Sequence, residues 1–231
     1  MDPLGQAGGF PSQQGETRKR MTTGRTNAVM TEKGGTRKWG GRLALFLILA
    51  AVGFTADLGT KRIVFDRLGF PDGRIHWLIP DVFGFQTSLN EGALFGMGAG
   101  QIPFFVIASV IALIGVVFWF HFDGYKSRTA TTALGLIAAG ILGNLWDRLA
   151  FHGMIWPDGL VPEMTGEPIH AVRDWILVMI GSYHWPNFNL ADSGLVVGTG
   201  LMMIYLLFLQ PKAETAGTGT NKESAGETET K

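Results

Sequence analysis

QIPFFVIASVIALIGVVFWFHF, residues 101–122, carries no charge, and none occurs between Glu91 and Asp123. A run of about 20 mostly apolar residues, rising roughly 1.5 Å each as a helix, is what the hydrocarbon layer of a bilayer requires. SGLVVGTGLMMIYLLFLQ at 193–210 is a second such run, uncharged from Asp192 to Lys212. Two less uniform runs complete a set of four. One lies near 40–60 and contains LALFLILAAVGFTA (43–56) ahead of Asp57. The other, 129–149, opens with TATTALGLIAAGILGNLW, rich in small residues, and meets Asp147 and Arg148 at its end. The expectation is an all-α membrane protein whose four transmembrane helices occupy 39–210.

Composition agrees. With 46% hydrophobic and 16% charged residues the chain is too apolar for an ordinary soluble domain. Nineteen basic and nineteen acidic residues cancel, so no charge excess points to nucleic acid. The absence of cysteine removes thiol nucleophiles, Cys-based zinc sites, disulfides and thiol-linked lipid anchors. The polar, Gly-rich residues 1–38 read as a disordered cytoplasmic tail rather than a cleavable signal peptide, with Met1, Met21 and Met30 as candidate initiators. Low-complexity 211–231 reads as a second disordered cytoplasmic tail.

Lys and Arg set the orientation. Arg25, Lys33, Arg37, Lys38 and Arg42 precede the first span, and Lys126 and Arg128 lie between the second and third; both segments are expected inside. The 150–188 connection offers only Arg173, as an outer loop should, although Lys61, Arg62, Arg67 and Arg74 dilute the bias. Four spans then leave both termini in the cytoplasm. One consequence is that Asp57 and Lys61, Asn90 and Glu91, Asn144, Asp147 and Arg148, and Asn189 and Asp192 all fall at the outer boundary. An Asp at a span's centre costs about 2.5–3.5 kcal/mol on the insertion scale, against a gain of about 0.3–0.6 for each Leu, Ile, Val or Phe, so the boundary is the favourable place. End-caps are the plain explanation of any one of these residues, but caps would be scattered over both faces. Asn144, Asp147 and Arg148 share one helix face by their i, i+3, i+4 spacing, with Gly140 a turn earlier to admit another backbone. For Asp147 and Arg148 a structural role, the Arg holding a carboxylate or a chain end, is the favoured reading.

The inventory of reactive groups narrows the chemistry. There is no His-Glu-x-x-His motif and the five histidines are dispersed, so a zinc protease is not indicated and no metal or other cofactor is expected. Ser193 has no His partner in sequence and reads as a helix-start hydroxyl. Carboxylate chemistry remains: two Asp close enough to share one proton act as a base and an acid, because like charges about 3 Å apart do not both ionise. Asp192, just before an uncharged span, is one candidate. Asp174 in AVRDWI, flanked by apolar residues that would raise its pKa by desolvation, is the other. Asp158, Glu163 and Glu167 lie in a Pro/Gly-rich stretch and read as solvated.

In order along the chain, DLGTK (57–61), NEGALFG (90–96), GNLWDRL (143–149), AVRDW (171–175) and FNLADSGLVVG (188–198) resemble the conserved blocks of the lipoprotein signal peptidase (signal peptidase II) family. The resemblance covers roughly 40–210. It implies an aspartyl endopeptidase of the bacterial inner membrane, with its active site on the extracytoplasmic face, that removes the signal peptide from diacylglyceryl-modified prolipoproteins. By motif position Asp174 and Asp192 would be catalytic, while Asp57, Lys61, Asn90, Gly92, Asn144, Arg148, Asn189 and Ala191, together with Asp147, would shape or support the site. It also implies a small extracytoplasmic β element in 62–100, where IHWLIPDVFGFQTSL reads as short extended pieces. Ile75, Trp77, Ile79, Phe83 and Phe85 there would meet lipid or acyl chains, or form a local core. The link at 150–173, with Pro157, Pro162 and Pro168, is longer than is usual in the family, and Trp175 stands where Phe is common. Two readings from other classes are a four-span transporter or channel, which would need polar groups at several depths, and a scaffold that binds partner helices without cleaving.

Overall fold

The computed structural model describes residues 14–92 and 101–210, with side chains from Lys38 onward. Helix α1 (Gln14–Leu68) is followed by strands β1 (His76–Ile79) and β2 (Phe83–Asn90), helix α2 (Ile102–Phe122) and helix α3 (Arg128–Arg148). Strands β3 (Val172–Ile180) and β4 (Tyr183–Phe188) then lead into helix α4 (Leu190–Ile204), which runs on through a wider final turn, Tyr205–Leu209. Four segments are long and apolar enough to cross a membrane: Lys38–Leu68, Ile102–Phe122, Arg128–Arg148 and Leu190–Leu209. The strands form one antiparallel sheet in the order β1-β2-β3-β4.

Several boundaries differ from the sequence reading. Residues 14–38, expected to be disordered, continue α1; extending a helix adds a bond per residue and avoids the nucleation penalty. The remainder of that tail, 1–13, and the whole of 211–231 lie outside the described residues. At its other end α1 passes through Asp57 and Lys61 to Leu68, so the β region expected at 62–100 begins as helix. These charges do not end the helix because they are neutralised within the bundle. The region also supplies only half of the sheet. Strands β3 and β4, read as loop, supply the rest, and the long insert ends at 171 where β3 begins. Finally, α4 starts at Leu190, which puts Asp192 inside its first turn.

The sheet register explains the site. Asn90 pairs with Val172 and Ser88 with Asp174, while Phe83 pairs with Val178, so the end of β2 and the start of β3 lie together beside the helices. Both hairpin turns lie at the far end. Within the bundle, Phe46 and Ala50 of α1, Val116 and Phe120 of α2, Ala133, Leu134 and Ala138 of α3, and Met202 and Tyr205 form the main core. Phe46 and Phe120 stack with centroids 4.7 Å apart. A second core, Val64, Phe65, Trp175 and Ile176, fastens the outer end of α1 to β3, with Phe83 and Phe85 packed against it. Those two aromatics therefore serve a local core, whereas Ile79 is exposed.

Candidate active site

Two short local rules bring the acids together. In β3 neighbouring side chains alternate, so Arg173 turns to α3 while Asp174 faces the head of α4. At that head Asn189 is the N-cap and Asp192 the third helical residue, and they form a reciprocal capping box. The Asp192 amide donates to Asn189 Oδ1 (2.9 Å), and the Asn189 amide donates to Asp192 Oδ2 (3.2 Å). The same Asn189 side chain donates from Nδ2 to Asp174 Oδ1 (2.6 Å) and to Asn144 Oδ1 (3.1 Å). Asn144 Nδ2 in turn donates to Asp192 Oδ1 (2.7 Å), and Asn90 Nδ2 donates to Asp174 Oδ2 (3.2 Å). A single buried asparagine thus touches both carboxylates. Burial, and after it the neighbouring charge of Asp192, push the Asp174 carboxyl up to about 8; the bond from Asn90 opposes the shift without reversing it.

Beneath the acids lies a neutral cluster of two acids and two bases. Lys61 is fully buried, with Nζ 2.7 Å from Asp57 Oδ2, 3.1 Å from Asp147 Oδ2 and 3.1 Å from Asn144 Oδ1. Arg173 bonds Asp147 Oδ1 through Nη2 (2.8 Å) and Nε (3.2 Å), and its backbone amide donates to Asp147 Oδ2 (3.0 Å). Asp57 Oδ1 accepts the amide of Ala191 (2.9 Å), one of the free N–H groups in the first turn of α4. Charges stripped of water persist only when paired this completely. The cluster therefore fixes α1, α3, β3 and the head of α4 in one arrangement, with Asp174 next in sequence to one of its anchors.

Close helix contact is also required. A Cβ on Gly140 would lie 2.5 Å from the Ala191 carbonyl oxygen, and one on Gly143 would run into the Asp57 carboxylate. Glycine at both positions lets α3 reach α4 and the cluster. Arg148, one turn beyond Asn144, donates from Nη2 to the Gly92 carbonyl (3.1 Å) and lies 5.1 Å from the centre of the Phe105 ring. Gly92 donates its amide to Asn90 Oδ1 (3.0 Å). Arg148 thus holds a chain segment, the structural role favoured for it; the 93–96 part of the NEGALFG block lies outside the described residues.

Every site residue expected from the sequence enters this one connected network: Asp57, Lys61, Asn90, Gly92, Asn144, Asp147, Arg148, Asp174, Asn189, Ala191 and Asp192. Asp158, Glu163 and Glu167 lie apart, on the exposed insert. Arg173 is the residue that sequence reasoning missed. Its signal is the need of a buried Asp147 for a cation, combined with strand alternation beside Asp174. The N-x-x-D pattern of the capping box, which marks the start of α4, was also there to be read. Two cavities open on the acids. One, about 620 Å³, is lined by Asp192, Asn144 and Arg148 and by apolar Trp185, Phe188, Leu195 and Val196. The other, about 610 Å³, is lined by Asp174, Ser88, Gln86, His184 and Asn187. Asn90 and Gly92 border both. Among the described residues no three His, Cys, Asp or Glu side chains are grouped as metal ligands.

Residues 49–208 match the model of the family described as signal peptidase (SPase) II. The lipoprotein signal peptidase of Rhodopirellula baltica is 42% identical over 166 residues, covering 71% of each chain. That of Symbiobacterium thermophilum is 32% identical over 168 residues, 73% of this chain and 97% of its own. Two solved bacterial membrane enzymes, determined by the in meso method at 2.3 and 1.9 Å, superpose with TM-scores of 0.57 and 0.56 at 28% and 30% identity. They cover 79% and 71% of this chain, and 94% of each solved chain is matched. The chain belongs to the signal peptidase II family and is a multi-pass membrane peptidase.

Proposed function

We propose that the protein cleaves diacylglyceryl-modified prolipoproteins by water attack directed by Asp174 and Asp192. The observation that carries the proposal is the Asn189 bridge: its side-chain Nδ2 donates to the deeply buried Asp174 and its backbone amide donates to the Asp192 carboxylate, with Asp174 lining one cavity and Asp192 the other. Two neighbouring carboxyls hold one proton between them, and burial keeps that proton on Asp174. Asp192 accepts a proton from water as its oxygen bonds to the scissile carbonyl carbon, and Asp174 gives its proton to the carbonyl oxygen. In the collapse of the tetrahedral intermediate, Asp192 passes its proton to the leaving amide nitrogen and the C–N bond breaks. Asp174 recovers the proton from the carbonyl-derived hydroxyl. The products are a carboxylic acid and an amine, and the acid pair is restored without metal or nucleotide. The Asn90, Asn144 and Asn189 amides hold both acids in place throughout.

The name borne by the relatives, lipoprotein signal peptidase, supports a lipoprotein precursor as substrate. The apolar wall formed by Trp185, Phe188, Leu195 and Val196 suits a signal helix and acyl chains arriving from the bilayer. The distribution of Lys and Arg supports an inner-membrane enzyme with both termini in the cytoplasm and the acids at the extracytoplasmic face. Membrane lipid is then the constant partner, and no nucleic acid is involved. The test is cleavage in detergent of a lipid-modified precursor, followed by gel shift, against the same precursor without its lipid. Turnover by both Asp174→Asn and Asp192→Asn proteins at the parent rate would defeat the mechanism; equal cleavage of both precursors would defeat the substrate assignment.

A further inference from the structure

The insert at 150–171 joins α3 to β3, and it is folded. The Ile169 amide donates to the Met154 carbonyl, the Trp156 amide to the Glu167 carbonyl and the Gly166 amide to the Trp156 carbonyl, each at 3.0 Å. Side chains alternate along this short ladder. Met154 packs on the outer core around Val64, Phe65 and Trp175, and the Trp156 ring lies 5.9 Å from Phe70, just beyond α1. The same alternation turns Ile155 outward. Ile155 is 58% exposed, Leu160 55% and Phe151 60%. Three large apolar side chains standing out within ten residues of one small element need a covering.

Continuity with the spans identifies it. The Phe151 ring lies 5.0 Å from Trp146 of α3, and Trp146 lies 5.7 Å from Phe54 of α1. An aromatic row thus passes from the membrane-crossing helices onto the insert. A Trp at a span end, such as Trp146 near the end of α3, belongs at the level of the lipid headgroups, and Phe151 lies against it. We infer that the insert lies on the bilayer surface, with Phe151, Ile155 and Leu160 in the boundary between headgroups and acyl chains. The segment contains no Lys or Arg and three acids, Asp158, Glu163 and Glu167, so apolar burial holds it there, not attraction to anionic lipid. This rests on the four spans alone and is independent of how the acid pair works.

The chain has no cysteine, so single-cysteine variants of the full-length protein accept one nitroxide each. Labels at Phe151→Cys, Ile155→Cys and Leu160→Cys are compared with Glu163→Cys in phosphatidylcholine vesicles, by collision with oxygen and with a water-soluble nickel chelate. All four positions except the aromatic contact of Phe151 are free of core packing, and thermal unfolding checks each labelled protein. The expected result is a several-fold shift from nickel toward oxygen at 155 and 160 relative to 163, unchanged when phosphatidylglycerol is added. Nickel access at 155 and 160 equal to that at 163 would overturn the inference, even with a lipid signature at 151. So would a lipid signature that arises only with phosphatidylglycerol.

Discussion

Helices α2 and α3 are both 21 residues long and both cross the membrane, yet they solve opposite problems. Among the described residues of α2 only Val116 and Phe120 are buried; most of its large apolar side chains, Phe104, Ile107, Ile111, Ile114 and Phe118 among them, are exposed. Helix α3 is buried along most of its length, is rich in Gly and Ala, and ends in Asn144, Asp147 and Arg148. A span that meets lipid must be apolar on nearly every face. A span that meets other helices is freed from that demand and can carry polar groups, provided each finds a partner. The least hydrophobic span is for that reason the one that builds the site.

The comparison breaks most sharply at the acids. Asp174→Asn or Asp192→Asn is expected to lower precursor turnover by about 10²–10⁴-fold, since each removes a proton-transfer group. Phe118→Ala, exposed on α2, should leave the rate within error in the same assay. An acid variant that retained turnover would mean that the carboxyl group it lacks, although held beside Asn144 of α3 through the Asn144–Asn189–Asp192 bonds, does not take part in the reaction.

The next effect is on stability. Lys61→Met would leave Asp57 and Asp147 fully buried, Asp147 still bonded to Arg173 and Asp57 with no ion pair among the described residues. A loss of about 3–5 kcal/mol is expected from denaturation in detergent. Ile111→Met on α2, exposed to lipid, should change the same measurement by less than about 1.5 kcal/mol.

That contrast also explains what was legible in the sequence. The four spans could be read because lipid imposes one demand on every exposed residue, and α2 shows it without interruption. Asp57 and Lys61 read as the end of a span because sequence shows a charge and not its partner; Asp147, 86 residues away from Lys61 in the chain, is what allows α1 to continue. In β3, the charged pair Arg173 and Asp174 leads into the apolar run WILVMI, whose strand character comes from pairing with Phe83–Asn90, a contact that no local pattern reports. The site residues could be named by motif. Their mutual bonds, and the part of Arg173, needed the sheet and the capping box in place.

A matched pair of glycines sharpens the comparison at smaller scale. Gly140→Ala in α3 would push a methyl group against the Ala191 carbonyl oxygen and the Leu195 side chain, at 2.5 and 2.6 Å. Overpacking of this kind costs about 1–3 kcal/mol. Gly115→Ala in α2 meets nothing within 4 Å, so only the better helix propensity of Ala acts, and stability should hold or rise by up to about 1 kcal/mol. Equal losses at the two positions would show that the helices are not packed in this unequal way.

The smallest effect is a shift in a pH profile. Asp174 must hold its proton to serve as the acid, and its carboxyl is raised to about 8 by burial and by Asp192. Turnover is therefore expected to fall as pH rises through about 8. Folding stability follows the same sign: the folded state binds a proton that the unfolded Asp releases near the ordinary carboxylate value, so this contribution weakens from about pH 4 up to about 8. The Asn90 amide favours the charged form of Asp174, so Asn90→Ala should move the alkaline limb to higher pH, whatever it does to the maximal rate. Phe118→Ala on α2 should leave the limb in place. A limb that Asn90→Ala left unmoved, or moved to lower pH, would mean that the group titrating there is not Asp174, and the pairing of an acid on the strand with a base on the helix would have to be redrawn.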